Sequence, residues 1–510
     1  MKRVFPLHPL LVAVLPTLVL FSGNLGEVSV SEVVLPLVLS GGLAALLLGL
    51  AGWIPGGRDR GAILASIALV LLFSHAEIRR ALGGWELSGV PVASDRHLLI
   101  VELALIFGAF LVLRRTRPVL RTLTLILNVG LAGVVLFQVG TIGVYKIRAA
   151  LSYRGLPPAA GVAEVLPPAT AGARPDIYYI ILDRYPSERC LKEFYDYDNR
   201  PFLDHLEQLG FYVAAESRSN YPMTMHSLAS SLSMDYLGDL SAPAPLLSDD
   251  WMPLAHRLQD YRLWRRLRTL GYRYIHCGSG WQPTDRNRYA DRNTSPNALP
   301  EFTSLLCQST ALNPLLHRLG LTDVDRVKRQ RVLRQFRDLA AVVDDPAPTF
   351  VFAHFLVPHP PYVFDRDGKP LAPAVRARRS TPENMRQQLE FTNARVRGFV
   401  DTLLARSVTP PIVILQADEG PYPYARTAST FDFTRATDAE LREKTSILNA
   451  LYLPGVDPGV FYPTLSPVNT FRLIFDHYFG TRFGLLPDRS YAFPDRRHLY
   501  DFFDITDRVR

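Results

Sequence analysis

Two adjacent carboxylates close an apolar stretch near the C-terminal end of the sequence. The stretch IVILQADEG begins at Ile412 and places Asp418 and Glu419 directly after residues typical of a buried strand. An earlier apolar run, DIYYIILD, ends at Asp183 in the same way. The carboxyl ends of strands in α/β sheets are where such folds bind ligands. The pattern is consistent with a divalent metal site, although acidic turns also commonly follow strands.

A threonine lies between these two strands, at the predicted start of a helix. The segment SNYPMTMHSLASSL runs from Ser219 to Leu232, and Thr224 precedes its apolar, periodic part. At a helix N-terminus, unpaired amides and the helix dipole favour an anionic phosphate. Thr224 is therefore a candidate nucleophile that needs a metal ion or a base beside it. The alternative is an N-cap or first-turn threonine, which is the commoner role at such positions.

Two histidines follow a further apolar run. His354 and His359 lie in FAHFLVPHPPYVFD, the first at the end of a strand and the second in a proline-rich loop. Beside an anion site, a pair of imidazoles can neutralise charge or transfer protons. Both histidines are therefore candidate catalytic residues, with a structural role as the alternative for each.

Strand and helix patterns alternate after residue 175. Apolar runs rich in β-forming residues are separated by amphipathic segments such as Pro201 to Gly210 and Glu383 to Arg406. This alternation predicts an α/β domain with a mostly parallel sheet covered by helices. Since a parallel sheet brings its carboxyl ends to one edge, Asp183 and Asp418 are expected to lie close together.

The N-terminal part of the chain has the composition of a membrane domain. Several of its apolar segments approach the ~20 residues that span hydrocarbon, although the third is short for a span. We predict about five transmembrane helices in the segments Leu7 to Phe21, Val33 to Trp53, Gly61 to Ala76, Leu98 to Leu113 and Val119 to Val144.

Basic residues orient these segments. Lys2 and Arg3, Arg58 and Arg60, and the arginines between residues 114 and 121 all face the cytoplasm if the N-terminus does. An odd number of spans then makes the rest of the chain extracytoplasmic. Residues 151–175 are rich in Pro, Ala and Gly and predict a linker. The expected organisation is a membrane domain over 1–150, this linker, and an α/β domain over 176–510.

The overall composition agrees with a membrane protein. Hydrophobic residues make up 48% of the 510 residues, and the mean hydropathy is +0.07. Residues 1–150 hold 13 basic and 7 acidic residues, whereas the remaining chain holds 43 and 41. The basic excess therefore belongs to membrane-flanking loops and indicates no nucleic-acid partner. Cys190, Cys277 and Cys307 allow at most one disulfide and lack the spacing of a zinc site.

An ordered series of motifs resembles the alkaline phosphatase/sulfatase superfamily. Within it, the chain is most similar to membrane-anchored sulfatase-like transferases such as lipoteichoic acid synthase and lipid A phosphoethanolamine transferase. The series covers residues 175–485, and a five-span anchor matches the architecture of those transferases. Its motifs are IILD, NYPMT with SLASSL, HFLVPHPPYVFD, ILQADEG and SPVNTFRLIFDHYFG.

The resemblance implies roles for individual residues. The metal ligands it implies are Asp183, Thr224 as the metal-bound nucleophile, Asp418, and Glu419 in place of the family's usual histidine. His354 and His359 match the region that contacts the substrate phosphate. Contacts to the transferred group are implied for His276 and Trp281 in IHCGSGWQPT.

Two departures from the family pattern affect the metal site. The usual Asp-His-Gly is here Asp-Glu-Gly, and Arg184 directly follows Asp183. A carboxylate in place of an imidazole favours one hard ion, Mn²⁺ or Mg²⁺, over Zn²⁺, or else marks a site that has lost its metal. Arg184 is expected to pair with a substrate phosphate or to occupy the place of the ion.

The expected function is metal-dependent phosphoryl transfer or phosphodiester hydrolysis on a lipid or glycan of the cell envelope. One alternative is a non-catalytic envelope protein with a decayed site. Sulfate-ester hydrolysis is a further alternative, but no Cys/Ser-x-Pro-x-Arg motif is present for conversion to formylglycine. The sequence leaves open the transferred group, the acceptor and the oligomeric state.

Overall fold

The chain forms two compact units in the computed structural model. One unit contains Met1–Ala150 and Ala298–Val327, and the other contains Leu151–Asn297 and Lys328–Arg510. Most of the predicted linker, residues 154–173, lies outside the part of the chain that the structure describes. The described residues are 5–51, 53, 57–87, 90–91, 93–116, 120–153, 174–241, 248–294, 299–343, 348–423, 426–427 and 430–510.

Five apolar helices make up most of the first unit. Four of them, α2 to α5, are long and apolar enough to cross a membrane, while α1 has 15 residues and is shorter. Helix α3 is longer than the third predicted segment, because charged residues at both ends of that segment continue the helix to 24 residues. The elements are α1 (His8–Ser22), α2 (Val30–Ala51), α3 (Arg58–Ala81), the antiparallel pair β1 (Glu86–Leu87) and β2 (Val90–Pro91), α4 (Asp95–Arg115) and α5 (Leu120–Tyr153).

Strands and helices alternate through the rest of the chain, as predicted. Helices α13 and α14 and the first residues of α15 belong to the first unit, although the predicted domain boundaries put them in the α/β domain. The strands are β3 (Ile177–Leu182), β4 (Tyr212–Val213), β5 (Arg273–Cys277), β6 (Arg292–Thr294), β7 (Thr349–Phe355), β8 (Ile412–Gln416), β9 (Asn449–Tyr452), β10 (Tyr491–Ala492) and β11 (Phe503–Asp504).

The helices that accompany these strands vary in length from one turn to seven. They are α6 (Glu188–Tyr195), α7 (Arg200–Gln208), α8 (Thr224–Ser233), α9 (Gly238–Ser241), α10 (Met252–Gln259), α11 (Arg262–Thr269), α12 (Gln282–Asp285), α13 (Glu301–Gln308), α14 (Asn313–Arg318), α15 (Val324–Ala340), α16 (Pro373–Arg378), α17 (Thr381–Arg406), α18 (Asp438–Thr445), α19 (Pro467–Tyr478) and α20 (Thr506–Val509), with a 3-10 turn at Pro458–Val460.

A seven-stranded mixed sheet organises the second unit. The strand order is β4-β9-β8-β3-β7-β5-β6, in which β8, β3, β7, β5 and β6 run parallel. Strands β9 and β4 add an antiparallel edge. In the register of the central strands, Ile181 of β3 lies opposite His354 of β7 on one side and Gln416 of β8 on the other.

Helices cover both faces of this sheet. All six residues of β3 are buried, and successive side chains enter two different apolar clusters because a strand alternates its faces. One cluster includes residues of α8, α10, α11 and α19, and the other includes residues of α6, α7, α15 and α17. The architecture is the predicted arrangement of apolar N-terminal helices followed by a mostly parallel, helix-covered sheet.

Candidate metal centre

Three side chains converge at the carboxyl edge of the central strands. Asp183 directly follows β3, His354 lies near the end of β7, and Asp418 comes two residues after β8. Each offers one ligand atom, and these atoms all lie within 4.8 Å of one another. All three residues are buried, with exposed fractions of 3%, 0% and 1%. The parallel register of three adjacent strands is what brings residues so distant in sequence together.

Each of the three side chains has one polar atom that lacks a hydrogen-bond partner among the described residues. Asp183 Oδ1, His354 Nε2 and Asp418 Oδ2 are buried and have no hydrogen-bond partner within the described parts of the chain. Buried polar atoms in proteins are nearly always hydrogen-bonded, so three orphans in one place indicate a missing partner. Carboxylate oxygens and an imidazole nitrogen are a common donor set for divalent metals. The residues therefore fit a divalent cation.

The surroundings raise the pKa of one aspartate and lower that of the other. Burial and the neighbouring carboxylates of Asp183 and Glu419 raise the pKa of Asp418 to about 7. Burial also acts to raise the pKa of Asp183, but the nearby His359, His354 and Arg184 together hold it below its usual range. Two carboxylates that face each other in a buried site repel, and a bound cation would relieve that repulsion.

A chain of hydroxyl groups orients His354. Its Nδ1 lies 2.8 Å from Thr284 Oγ1, which lies 2.7 Å from Ser279 Oγ. Ser279 Oγ donates to the carbonyl oxygen of Trp281 at 3.2 Å. With that direction fixed, Thr284 donates to Ser279 and accepts from Nδ1–H of His354. The lone pair on Nε2 then faces Asp183 Oδ2, 3.5 Å away.

Thr224 is the first residue of α8 and is half-buried beside this group. The N-cap residue is Met223, which has no capping side chain, so Thr224 is a first-turn residue rather than the cap. Its side chain interacts with the Asp418 carboxylate and favours the charged form of that carboxylate. A hydroxyl at a helix N-terminus and a candidate metal site are therefore adjacent.

Glu419 lies beside the ligand group without being part of it. Its Oε1 accepts from Arg184 Nε at 2.8 Å and forms an ion pair with Lys444 Nζ at 2.9 Å. Its Oε2 is buried and has no hydrogen-bond partner among the described residues. The predicted fourth ligand is thus engaged by two cations, whereas His354, which the sequence suggested as a catalytic residue, lies with the two aspartates.

Arg184 reaches both acidic residues through an unusual backbone conformation. Its φ of 59° is in the left-handed region, which is uncommon for a residue other than glycine. This conformation directs its N–H to Asp418 Oδ1 at 3.2 Å while its guanidinium pairs with Glu419 and lies over the ring of Tyr422. The predicted alternatives for Arg184 were a phosphate partner or a substitute for the ion, and its side chain here pairs with Glu419.

Lys444, at the end of α18, lies at the site but is not predicted from the sequence. It is fully buried, donates to the carbonyl oxygen of Gly420 at 2.9 Å, and has its pKa lowered to about 8, mainly by burial. A Cβ at Gly420 would lie 2.2 Å from the carbonyl oxygen of Glu443, so only glycine allows α18 to approach this closely. The sequence DAELREKT reads as an ordinary exposed helix, and no local signal marks its lysine.

The remaining predicted residues take different positions around the centre. His359 is half-buried, its N–H donates to the carbonyl oxygen of Asp183 at 3.1 Å, and burial followed by Arg184 lowers its pKa to about 3. The ring of Trp281 packs edge-on against that of His354. Both ring nitrogens of His276 are occupied, by Tyr274 and by the carbonyl oxygen of Thr284. His276 therefore supports the loop that carries Thr284.

Three solved structures that are 10–14% identical to this chain are similar to it. No family model matches the sequence, and no curated protein matches it. The C-terminal periplasmic domain of EptC from Escherichia coli is 14% identical, with a TM-score of 0.43 over 67% of this chain and 96% of that chain. A second structure of that domain is a complex with Zn.

Two further similar structures differ in how much of this chain they cover. The integral membrane protein lipooligosaccharide phosphoethanolamine transferase A (EptA) from Neisseria meningitidis is 12% identical, with a TM-score of 0.39 over 92% of this chain and 93% of that chain. A protein in the alkaline phosphatase superfamily from Vibrio parahaemolyticus is 10% identical, with a TM-score of 0.40 over 68% and 81%.

Proposed function

We propose that this protein is a membrane-anchored, metal-dependent phosphotransferase or phosphodiester hydrolase that acts on a lipid or glycan of the cell envelope. One observation carries the proposal. The hydroxyl of Thr224, at the N-terminus of α8, lies beside a buried group of two aspartates and a histidine whose unsatisfied atoms fit a divalent cation.

Each residue of the centre has a role in this proposal. Asp183, His354 and Asp418 would hold the cation, which would supply charge stabilisation and a lowered hydroxyl pKa. Thr224 Oγ1 attacks phosphorus, so a Thr–O–P bond forms while the bond from phosphorus to the leaving alcohol oxygen breaks. The proton of the Thr224 hydroxyl passes to that alcohol oxygen, and the rest of the substrate stays on phosphorus. The N-terminal amides of α8 stabilise the phosphate charge. Water or an acceptor hydroxyl then displaces Thr224 from phosphorus, and the proton lost by this nucleophile returns Thr224 Oγ1 to its hydroxyl form.

His359 is neutral near pH 7, because burial and Arg184 lower its pKa to about 3, so it can hold a proton only transiently in the second step. Its Nδ1 is hydrogen-bonded to the carbonyl oxygen of Pro360, so Nδ1 carries the proton and Nε2 is left as an acceptor. We propose that Nε2 receives the proton of the incoming water or acceptor hydroxyl. His354 is already held by Thr284, and we assign it to the metal rather than to proton transfer.

The metal preference depends on which residues are ligands. The preference for Mn²⁺ or Mg²⁺ assumed Glu419 as a ligand, and Glu419 is instead paired with Arg184 and Lys444. Two carboxylates and one imidazole suit Zn²⁺ as well as Mn²⁺. We propose one divalent ion per chain, and metal analysis after separate loading with Mg²⁺, Mn²⁺ and Zn²⁺ identifies it.

Hydrolysis of bis(p-nitrophenyl) phosphate by the full chain in detergent tests the proposed function. We expect Thr224→Val to lower the rate by about 10³-fold or more, because the hydroxyl is lost while the shape is kept. Thr381→Val is the matched control, since Thr381 is the exposed first residue of α17 and should leave the rate unchanged. Mass spectrometry of the quenched wild-type protein should find a p-nitrophenyl phosphate group on Thr224. Full activity in Thr224→Val would refute the nucleophile.

A non-catalytic binding protein is the second candidate, and one observation favours it. The buried Lys444 and the partly buried Arg184 neutralise Glu419, the position where the resemblance implies a metal ligand. Metal content separates the candidates. The enzyme should bind about one ion per chain, and binding should be lost in Asp183→Asn and retained in Asp204→Asn, an exposed surface change. A wild-type protein that binds none of the three metals would favour the non-catalytic role.

A further inference from the structure

A segment between β6 and α15 leaves the α/β unit and packs with the N-terminal helices. Residues 299–324, which contain α13 and α14, belong to the first unit. Phe302 of α13 is 3% exposed and packs in one apolar cluster with Phe21, Leu25 and Val33. One side of the segment is therefore fixed to the loop that joins α1 to α2.

Backbone hydrogen bonds join the same segment to α3. The N–H of Ala76 donates to the carbonyl oxygen of Ser309 at 3.2 Å, and the N–H of Ala311 donates to the carbonyl oxygen of Leu72 at 2.8 Å. Leu72 and Ala76 lie nine and five residues before the end of α3 at Ala81. At 1.5 Å per residue, the contact lies about 8–14 Å inside the end of this helix.

These contacts lie at one end of the helix group. Consecutive spans alternate in direction, so the α1–α2 loop and the C-terminal end of α3 are on the same side of the membrane. The 24-residue helix is about 36 Å long and the hydrocarbon core about 30 Å thick, so about 3 Å of α3 extends beyond the core at each end. The contact with α3 therefore lies about 5–11 Å inside the hydrocarbon, in the outer part of the acyl chains.

Polar groups in the connection between α13 and α14 are satisfied locally. Ser309 Oγ donates to the carbonyl oxygen of Leu306 at 2.7 Å, and Thr310 Oγ1 donates to that of Cys307 at 2.8 Å. Together with the two bonds to α3, these contacts meet the requirement that irregular backbone at membrane depth be paired within the protein.

The other side of the segment is apolar and exposed. Leu305, Leu312, Leu315 and Leu319 are 51%, 48%, 57% and 61% exposed. Arg318 is exposed among them, at the end of α14. Leucines spaced along short helices, with a basic residue at the margin, are typical of segments that lie in a membrane interface.

We propose that residues 299–324 form a membrane-inserted segment, whose four exposed leucines contact the acyl chains of the leaflet on the side where α3 ends. The lipid is assigned as the occupant because the segment is continuous with helices long and apolar enough to span a bilayer. Arg318 lies at the level of the lipid phosphates. This inference rests on the first unit alone and is independent of the proposed chemistry.

Fluorescence quenching tests the proposal in the full chain, reconstituted in phosphatidylcholine vesicles. Leu312→Cys and Leu315→Cys, each in a Cys307→Ser background, carry an environment-sensitive label, while Cys190 and Cys277 are 2% and 1% exposed and should not react. Val408→Cys in the same background is the control, since Val408 is fully exposed in a loop of the second unit.

We expect spin-labelled phosphatidylcholine to quench the labels at 312 and 315 several-fold more than the label at 408, and aqueous iodide to show the opposite order. Iodide quenching at 312 and 315 equal to that at 408 would put the leucines in water and overturn the proposal. Quenching by neither agent would show that protein covers them, and that outcome also overturns it. Two positions are used so that one variant that fails to fold does not decide the result.

Discussion

Glu419 is a buried negative charge held between two positive ones. Arg184 and Lys444 both contact its Oε1, and Glu419 and Lys444 are 1% and 0% exposed. A buried ion pair adds little net stability as a whole, but removal of one partner leaves an uncompensated charge. The stability of the protein should therefore be sensitive to substitutions of Glu419 that would be tolerated at a surface glutamate.

Glu419→Gln should destabilise the second unit by about 3–5 kcal/mol, because it leaves the buried Lys444 and the partly buried Arg184 without their counter-charge. Urea unfolding of the full chain in detergent, followed by tryptophan fluorescence, measures the change. Glu207→Gln is the matched control, since Glu207 pairs with Arg200 on the surface and should cost at most about 1 kcal/mol. Equal effects of the two substitutions would contradict the argument.

Thr284 is a positioning residue for His354, one of the three residues that fit a divalent cation. Thr284→Val removes the acceptor for Nδ1–H and should weaken metal binding by about 10–100-fold, whereas Thr284→Ser should bind almost as well as wild type. Titration calorimetry gives the affinities. ¹⁵N chemical shifts of His354 should show the Nδ1–H tautomer in the wild type and a mixture in Thr284→Val. An unchanged tautomer and affinity in Thr284→Val would refute this role.

The sequence predicts the strands that carry the candidate metal ligands better than it predicts the residues that contact those ligands. Apolar runs ending in Asp183 and Asp418 mark β3 and β8 unambiguously, and parallel strands must bring their ends together. Thr284 and Lys444 could not be found in this way, because each reaches the site from a segment whose local pattern is ordinary. Three-dimensional packing alone brings them near His354 and Glu419.

The segment that contains α13 and α14 was missed for a related reason. Its helices are eight and six residues long, so they lack both the length of a span and the periodicity of a long amphipathic helix. By sequence position it falls between strands of the α/β domain. Only tertiary contacts with α1, α2 and α3 reveal that it belongs to the first unit.

A buried polar pair joins two of the apolar helices. His75 of α3 and Glu102 of α4 are 2% and 6% exposed, and His75 Nδ1 lies 2.9 Å from Glu102 Oε1. A double-mutant cycle with His75→Leu and Glu102→Leu should give a coupling energy of about 1 kcal/mol. Thermal unfolding in detergent measures it. The exposed pair of Arg80 and Glu77 is the control and should show less coupling, and equal values would contradict the assignment.

One buried acidic side chain should make the stability of the protein depend on pH. Glu443 is 6% exposed and accepts from the hydroxyl of Tyr195 at 2.8 Å. Burial raises its pKa from 4.5 to about 7. Between these values the folded chain keeps a proton that the unfolded chain has lost, so this residue makes stability fall as pH rises from 4.5 to 7.

Glu443→Gln should remove the fall in stability that Glu443 causes as the pH rises. Relative to wild type, the variant should gain up to about 3 kcal/mol in the free energy of unfolding between pH 4.5 and pH 8. Urea unfolding at several pH values measures the difference. Glu440→Gln is the contrasting variant: a hydrogen bond from the backbone of Thr437 lowers the pKa of Glu440, so its contribution is present above pH 4.5 and lost as pH falls. A pH-independent difference for Glu443→Gln would refute the assignment.

The packing of residues 299–327 with the N-terminal helices also determines how the protein can be divided. A truncated protein that begins at residue 174 would keep Phe302 and the four exposed leucines but lose Phe21, Leu25 and Val33 and the backbone partners in α3. Its newly uncovered apolar surface would drive self-association. A soluble fragment of the second unit therefore requires replacement of residues 299–324 by a short polar linker as well as removal of the N-terminal helices.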